Sequence, residues 1–370
     1  MSPTIPHHLL PTDGRFGSGP ARIRPESLTM LAASPVMGTS HRQAPVKNVV
    51  KQLQQDLLGL YRAPEGHRVV LGNGGASFFW DIAACSLVER RSAHGVFGEF
   101  SSKFAKATAR APFLDAPAVT EVPAGRVALP EATDADVYGW AQNETSTGAS
   151  APVLRPEGIA DDALVLVDAT SAAGGIDADL TGIDTYYFAP QKNFSSDGGL
   201  WFAIASPAAI ERAERLTRDA GRWVPDALNF TLAAENSAKN QTLNTPALAT
   251  LLLMADQVRW MLDNGGMDFV AGRTRESSSV LYEWADAHEL ATPFVEPEFR
   301  SPVVATIDFA QSVDAAALAA DLRANGIVDV EPYRKLGRNQ LRVGCYASVE
   351  PDDVRALVAC IDWLLEQKAD

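Results

Sequence analysis

Apolar residues along the chain change period repeatedly, and the changes predict strands alternating with helices. Val46, Val49, Val50, Leu53, Leu57 and Leu58 recur at helical spacing. The run Arg68-Val69-Val70-Leu71 reads as a strand, Gly72-Asn73-Gly74-Gly75-Ala76-Ser77 as a glycine loop, and Phe78 to Leu87 as a helix. Gly95-Val96-Phe97 and Val137 to Gln142 predict further strands. Two runs carry most weight: Leu164-Val165-Leu166-Val167, closed by Asp168, and Tyr186-Tyr187-Phe188-Ala189, which leads through Pro190 and Gln191 to Lys192. Their continuous hydrophobicity predicts buried parallel strands, each ending in a polar residue at the carboxyl edge of a sheet, where open α/β folds place ligands. Gly199 to Ala205 returns as a strand and Pro207 to Leu216 as an amphipathic helix.

The flanks read differently. Glycines and prolines up to Phe16-Gly17-Ser18-Gly19-Pro20 forbid a helix before about Pro25. They predict an extended arm lying on the body of the protein or on a neighbour, with a flexible tail as the alternative for Met1 to Leu10. Asn236 to Pro246 is polar, Ala247 to Leu262 a long apolar helix, Gly265-Gly266 a break, and a second helix runs to about His288. The tail predicts a strand at Val303 to Asp308, a helix at Asp314 to Ala324, strands around Ile327 to Val330 and Gln340 to Gly344, and a helix at Pro351 to Glu366. This organisation divides the chain into an arm (1–24), a large α/β domain (25–262), and a linking helix with a small C-terminal α+β domain (263–370).

Composition narrows the function classes. The 370 residues carry a net charge of −14, which disfavours nucleic acid or an anionic membrane surface as partner. Cys85, Cys345 and Cys360 are scattered without metal-ligand spacing, so reduced thiols and no metal site are expected. The first residues lack the apolar core of a signal peptide and no apolar run reaches transmembrane length, which makes the cytoplasm the expected compartment.

Several positions offer chemistry. The glycine loop followed by a helix is a cup for an anion. A dinucleotide site would want a third glycine where Ser77 stands, and a P-loop a Gly-Lys-Ser/Thr; Glu99 keeps a nucleotide reading open, but a lone phosphate fits better. Asp168 and Lys192 together supply what pyridoxal 5′-phosphate requires, a carboxylate for the ring nitrogen and an amine for the Schiff base. Each also has a plain reading, as a helix cap and a solvated amine. Phe100 is either core or a ring that stacks on a planar ligand. Asn143-Glu144-Thr145-Ser146-Thr147-Gly148 either caps the next helix or hydrogen-bonds a ligand. His41-Arg42 before a helix is a solvated turn or an anion clamp. Among Arg334, Lys335, Arg338 and Arg342, the last lies on a half-buried strand, where an arginine generally has an anionic partner.

Taken together these residues resemble the fold-type I pyridoxal-phosphate enzymes, and more closely the phosphoserine aminotransferases, of an actinobacterial type. The resemblance covers nearly the whole chain. It is most specific at Ser40-His41-Arg42, Gly72-Asn73-Gly74-Gly75, Asn143-Glu144-Thr145, Val167-Asp168-Ala169-Thr170-Ser171, Ala189-Pro190-Gln191-Lys192-Asn193 and Asn244-Thr245-Pro246. It implies a large domain with a mostly parallel seven-stranded sheet flanked by helices, and a homodimer with shared sites. It further implies that Lys192 is the Schiff-base lysine, that Asp168 partners the pyridine nitrogen, and that Phe100 stacks on the ring. Ala76 and Ser77 amides and Gln191 would hold the cofactor phosphate, and Thr145 would contact the ring hydroxyl region. Asn244 and Thr245 would reach the same phosphate from the second subunit. Arg342 would bind the substrate α-carboxylate, while His41 and Arg42, again from the partner, would meet the substrate phosphate or the glutamate carboxylate. The implied reaction moves an amino group from L-glutamate to 3-phosphohydroxypyruvate in serine biosynthesis, with 4-phosphohydroxythreonine of pyridoxine biosynthesis as a second product class.

The chain departs from the family pattern in three places. Phe100 stands where many members have Trp, Ala76-Ser77 where many have a pair with Arg, and the His-Arg pair that commonly precedes the carboxylate-binding Arg is replaced by one of Arg334, Lys335 and Arg338. Two other enzymes stay open: a class V aminotransferase acting on glyoxylate or pyruvate, which needs no cationic pocket at His41-Arg42, and a cysteine desulfurase, which needs a mobile catalytic cysteine such as Cys345. A nucleotide-binding or regulatory protein is disfavoured by the failed glycine fingerprint.

Overall fold

A computed structural model of the chain describes residues 2–219 and 221–367; residues 1, 220 and 368–370, which include Met1 of the expected arm and the end of the expected tail, lie outside the described residues. Helix α1 (Pro25–Ala33) begins at the proline that ends the arm, and α2 (Ala44–Leu60) buries Val46, Val50, Leu53 and Leu57 along one stripe. Strand β1 (Arg68–Asn73) runs on through Gly72 and Asn73, two residues further than the glycines suggested. Helix α3 (Ala76–Ser86) starts two residues earlier than its hydrophobicity did, because Gly75 rather than Ser77 precedes its first turn.

The large sheet continues with β2 (Ser92–Val96), helix α4 (Glu99–Arg110), and strands β3 (Ala118–Glu121) and β4 (Val137–Ala141). A small hairpin of β5 (Asn143–Glu144) and β6 (Ala149–Ser150) replaces the helix expected after Asn143. Strands β7 (Leu164–Asp168), β8 (Thr185–Phe188) and β9 (Leu200–Ala205) complete a seven-stranded sheet in the order β1, β9, β8, β7, β4, β2, β3. Neighbours pair in parallel except at β9, which is antiparallel to both β8 and β1. The strands that share a direction therefore end together, and the glycine loop, Phe100, Asn143, Asp168 and Lys192 all follow strands on that edge.

After the sheet come α5 (Pro207–Arg218), capped by the Ser206 hydroxyl, and α6 (Phe230–Ser237), a short helix that runs only into the first two residues of the polar stretch from Asn236. Helices α7 (Leu248–Asp263) and α8 (Gly266–Ala287) flank the glycine break. A second sheet of three antiparallel strands contains β10 (Ala291–Pro293), β11 (Val304–Phe309) and β12 (Gln340–Gly344), with α9 (Ala315–Ala324) and α10 (Pro351–Glu366) packed on it. No strand forms at 327–330: Val328 makes an isolated bridge to Arg15 instead, and Arg342 N–H donates to the Val330 carbonyl.

That bridge explains the arm. Residues 2–24 lie along the small sheet with one 3₁₀ turn at His7–Leu9. Ile5 N–H reaches Asn325, Thr12 N–H reaches Asp353, and Phe16 pairs through its backbone with Val328 and Gly344. Ile5 and Phe16 belong to the apolar core around β11 and β12, and complete burial of Phe16 alone contributes about 2 to 3 kcal/mol. The arm then crosses to the large sheet, where Ala21 N–H donates to the Gln191 carbonyl. No helix among the described residues is long and apolar enough to cross a membrane.

Candidate active site

A cavity of about 200 Å³ opens at the carboxyl edge of the large sheet, lined by Ala76, Ser77, Trp80, Phe100, Asn143, Thr145, Asp168, Thr170, Ser171, Gln191 and Lys192, among others. Seven residues expected at the site from sequence meet here: Ala76, Ser77, Phe100, Thr145, Asp168, Gln191 and Lys192. Trp80, Thr170 and Ser171 join them without having been assigned a role. Trp80 lies one helical turn beyond Ala76 and so shares its face, a relation the helical pattern contained once α3 began at the right residue.

Asp168 ends β7 and is buried, with Oδ1 receiving the Thr170 N–H at 2.9 Å and Oδ2 the Trp80 indole N–H at 3.1 Å. Burial pushes its carboxyl above the usual range, and the donors from Thr170 and Trp80 pull it back. Lys192 approaches from the loop after β8. Removal from water, and then the nearby Arg342 charge, lower its amine to about 7, while Asp168 acts in the opposite sense. The amine donates to the Ser18 carbonyl of the arm, which also accepts the Tyr346 hydroxyl at 2.7 Å.

The start of α3 is open. Gly75 precedes it with no side chain capping the helix, and a Cβ at Gly75 would meet no atom within 4 Å. The first amides and the positive end of the helix thus face the cavity. Beside them Gln191 Oε1 and Asn143 Oδ1 are buried without a hydrogen-bond partner, as is Arg342 Nε. Unsatisfied buried polar atoms converging on a cavity fit a polar ligand. Arg342 donates to the Thr145 carbonyl at 3.1 Å and lies over the Tyr333 ring, with no carboxylate paired to it among the described residues.

Asn143 to Gly148 does cap a helix, but the preceding one. The buried Glu144 carboxylate takes the N–H groups of Phe100 and Ser101 at the start of α4, and the hydroxyls of Ser101 and Ser146. Burial raises its carboxyl and these donors oppose the rise. Phe100 is thereby held at the cavity rim, its ring 6.1 Å from that of Tyr333.

Five expected residues do not line the cavity: Arg342, which reaches it only through the Thr145 carbonyl, and His41, Arg42, Asn244 and Thr245. His41 is half-buried with Nε2 unpartnered, and exposed Arg42 donates to the carbonyls of Thr242 and Leu243 at 3.1 and 2.8 Å. Asn244 and Thr245 are exposed, and the Thr245 carbonyl accepts from Asn73 at 2.8 Å. The two segments expected to serve a second subunit therefore lie together, tied to the glycine loop. Of the basic residues in the tail, Lys335 pairs with Glu99 and Arg338 with Asp308, whereas exposed Arg334 has neither ion pair nor side-chain hydrogen bond among the described residues. Cys345 is fully buried and its thiol is pushed up to about 12, which does not suit a mobile nucleophile.

Comparison with known proteins adds a family. Residues 127–329 match the model of the family Aminotransferase class-V. The chain is 58% identical over 366 residues to a protein of Mycolicibacterium vanbaalenii, covering 98% of both chains. It is 53% identical over 370 residues to the phosphoserine aminotransferase of Rhodococcus jostii, covering 99% of both. Among solved structures, a phosphoserine aminotransferase from Cytophaga hutchinsonii superposes with a TM-score of 0.86 at 22% identity, over 95% of this chain and 99% of that one. An alanine–glyoxylate aminotransferase from Nostoc gives a TM-score of 0.80 at 21% identity, over 96% of both. Enzymes of different substrates thus share the fold, and the fold alone does not choose between them.

Proposed function

Because this chain belongs to the class V aminotransferases, enzymes that work with pyridoxal 5′-phosphate, we propose that it transfers the amino group of L-glutamate to 3-phosphohydroxypyruvate. The products are O-phospho-L-serine and 2-oxoglutarate. The observation that supports a doubly anionic substrate is the set of uncommitted cations: among the described residues Arg342 has no carboxylate partner and a buried, unpartnered Nε, and Arg334 has no ion pair. The name of the Rhodococcus jostii relative agrees with this substrate.

When bound, the cofactor supplies an aldehyde carbon for the amine and a ring that draws electrons from the substrate α-carbon. The chain's residues do the rest. Lys192 Nζ, its amine lowered to about 7, would hold the cofactor's aldehyde carbon, and as a free amine it would move the substrate's α-proton. Asp168 keeps the ring nitrogen protonated. The Ala76 and Ser77 amides, the α3 dipole and Gln191 hold the phosphate. Phe100 covers the ring face and Thr145 meets its hydroxyl side. Arg342 takes the α-carboxylate by a two-pronged contact. In a homodimer, Asn244 and Thr245 of one copy reach the phosphate in the other, and His41 and Arg42 reach the substrate's distal anion. The division into arm, large domain and small domain at residues 25 and 263, and a cytoplasmic location, belong to the same reading.

Purified protein should carry a visible cofactor band that glutamate bleaches and 3-phosphohydroxypyruvate restores, and Lys192→Ala should have no band. Restoration by glyoxylate or pyruvate, and not by the phosphorylated keto acid, would move the substrate to the unphosphorylated class. A second trial with 3-hydroxy-4-phosphohydroxy-2-oxobutanoate reports whether the pyridoxine branch is served.

A further inference from the structure

Trp80 makes a polar contact that the reaction above leaves unused. Its indole, almost wholly buried at 7% exposure, belongs to the apolar cluster of α3, which by itself asks for no polar partner. Instead Nε1–H donates to Asp168 Oδ2 at 3.1 Å, across 88 residues of sequence. The opposite oxygen is taken twice by Thr170, from N–H at 2.9 Å and from the hydroxyl at 2.5 Å. Tyr187 on β8 is buried near the same carboxylate, but its hydroxyl makes no hydrogen bond among the described residues, and its ring is stacked at 4.2 Å on Phe79.

An indole N–H can only donate, so it favours the ionised carboxylate over the acid. Donors on both oxygens also define the carboxylate plane, which Thr170 alone, holding one oxygen, does not. Burial works the other way by favouring the neutral acid. A carboxyl that must stay ionised in a dry site to hold a proton on a neighbouring nitrogen needs such donors, much as outer partners orient and tune metal ligands.

We propose that Trp80 is a positioning residue for Asp168: with Thr170 it fixes the carboxylate's orientation and charge, so that a free lone pair faces the cofactor's ring nitrogen. The inference rests on the assignment of Asp168 to that nitrogen. Trp80 touches Asp168 through its N–H, and its effect on the reaction passes through that carboxylate.

The test uses holoenzyme with ¹⁵N-labelled pyridoxal phosphate and three proteins: Trp80→Phe, a protein with 3-benzothienylalanine at position 80, and Asp168→Asn. The benzothienyl analogue keeps the ring volume and removes only the N–H, so it stays informative if the phenylalanine variant folds poorly. Both changes at position 80 should move the ring-nitrogen signal toward the unprotonated position. They should lower kcat by about tenfold, with KM for glutamate changed by less than about twofold. An unmoved nitrogen signal and kcat in the benzothienyl protein, with the signal lost in Asp168→Asn, would overturn the role of Trp80 and leave that of Asp168 standing. A signal retained in Asp168→Asn would overturn the assignment of Asp168 itself. A loss of thermal stability with an unmoved nitrogen signal would mark Trp80 as core and overturn the proposal.

Discussion

Gly19 leaves no room for a side chain beside Lys192. A Cβ on its backbone, which has φ +136°, would overlap Nζ, Cε and Cδ of the lysine. The arm therefore packs directly against the one residue whose amine must be free to move.

Gly19→Ala should strain the backbone and push Lys192 aside. The expected result is a drop of about tenfold or more in cofactor attachment, read from the visible band during titration with pyridoxal phosphate. The fold should persist, because Thr12, Phe16 and Ala21 hold the arm on either side. A full band at wild-type affinity would show that the arm yields and that its contact with Lys192 is incidental.

The lowered Lys192 amine makes a pH prediction for the cofactor-free protein. An ordinary lysine stays protonated to about 10.5, whereas this one releases its proton near 7. Acylation of Lys192, followed by mass spectrometry, should rise through about pH 7 and level off while exposed lysines are still gaining reactivity. The sign for stability follows. Between about 7 and 10.5 the unfolded chain binds the extra proton, so this group makes the cofactor-free fold more stable as pH rises through that window. Arg342→Gln should move the midpoint upward, since Arg342 is the second cause of the shift after burial. Titration of Lys192 together with the other lysines would contradict both statements.

Glu144 gathers five donors: the Phe100 and Ser101 N–H groups and the Ser101 hydroxyl at the start of α4, and the N–H and hydroxyl of Ser146. Glu144→Ala leaves them buried without an acceptor and should cost about 3 kcal/mol of stability in a urea titration. Phe100 stands at the second position of that helix, so its ring should also lose its fixed place and the cofactor band should broaden. A loss below about 1 kcal/mol would mean that water replaces the carboxylate.

Sharing of sites between two copies can be read by mixing. Lys192→Ala and Arg42→Ala should each be nearly inactive with the phosphorylated substrate. After unfolding and refolding together at equal amounts, hybrid dimers should restore about a quarter of the wild-type activity, one intact site in each hybrid. No recovery would place Arg42 in the same site as its own chain's Lys192, and an Arg42→Ala protein that is active by itself would place Arg42 outside the reaction.

Local chemistry carries a large part of this molecule. The buried runs of β7 and β8 are apolar throughout, so their character, their parallel pairing and the polar residues at their ends were legible in the sequence. Helix α10 runs over the very residues that Pro351, Asp352, Asp353 and the apolar stripe behind them predict. Elements that lean on neighbours were not legible. Strand β3 is a short edge strand with alternating half-buried and exposed residues, and α6 is an eight-residue helix that begins at Phe230, before the polar stretch from Asn236. Residues 327–330 have strand composition and yet bond to the arm.

The site divides in the same way. Asp168, Lys192 and the glycine loop are visible from sequence because each ends an element with its own pattern. The Trp80 indole on Asp168 spans 88 residues, the Ser18 carbonyl on Lys192 spans 174, and Arg42 on Thr242 spans 200. No periodicity records contacts at such separations; only the order of strands in the sheet and the path of the arm bring them together. The residue types and the chemistry they allow were set by the sequence, while packing decided which donor meets which acceptor and how much water is left between them.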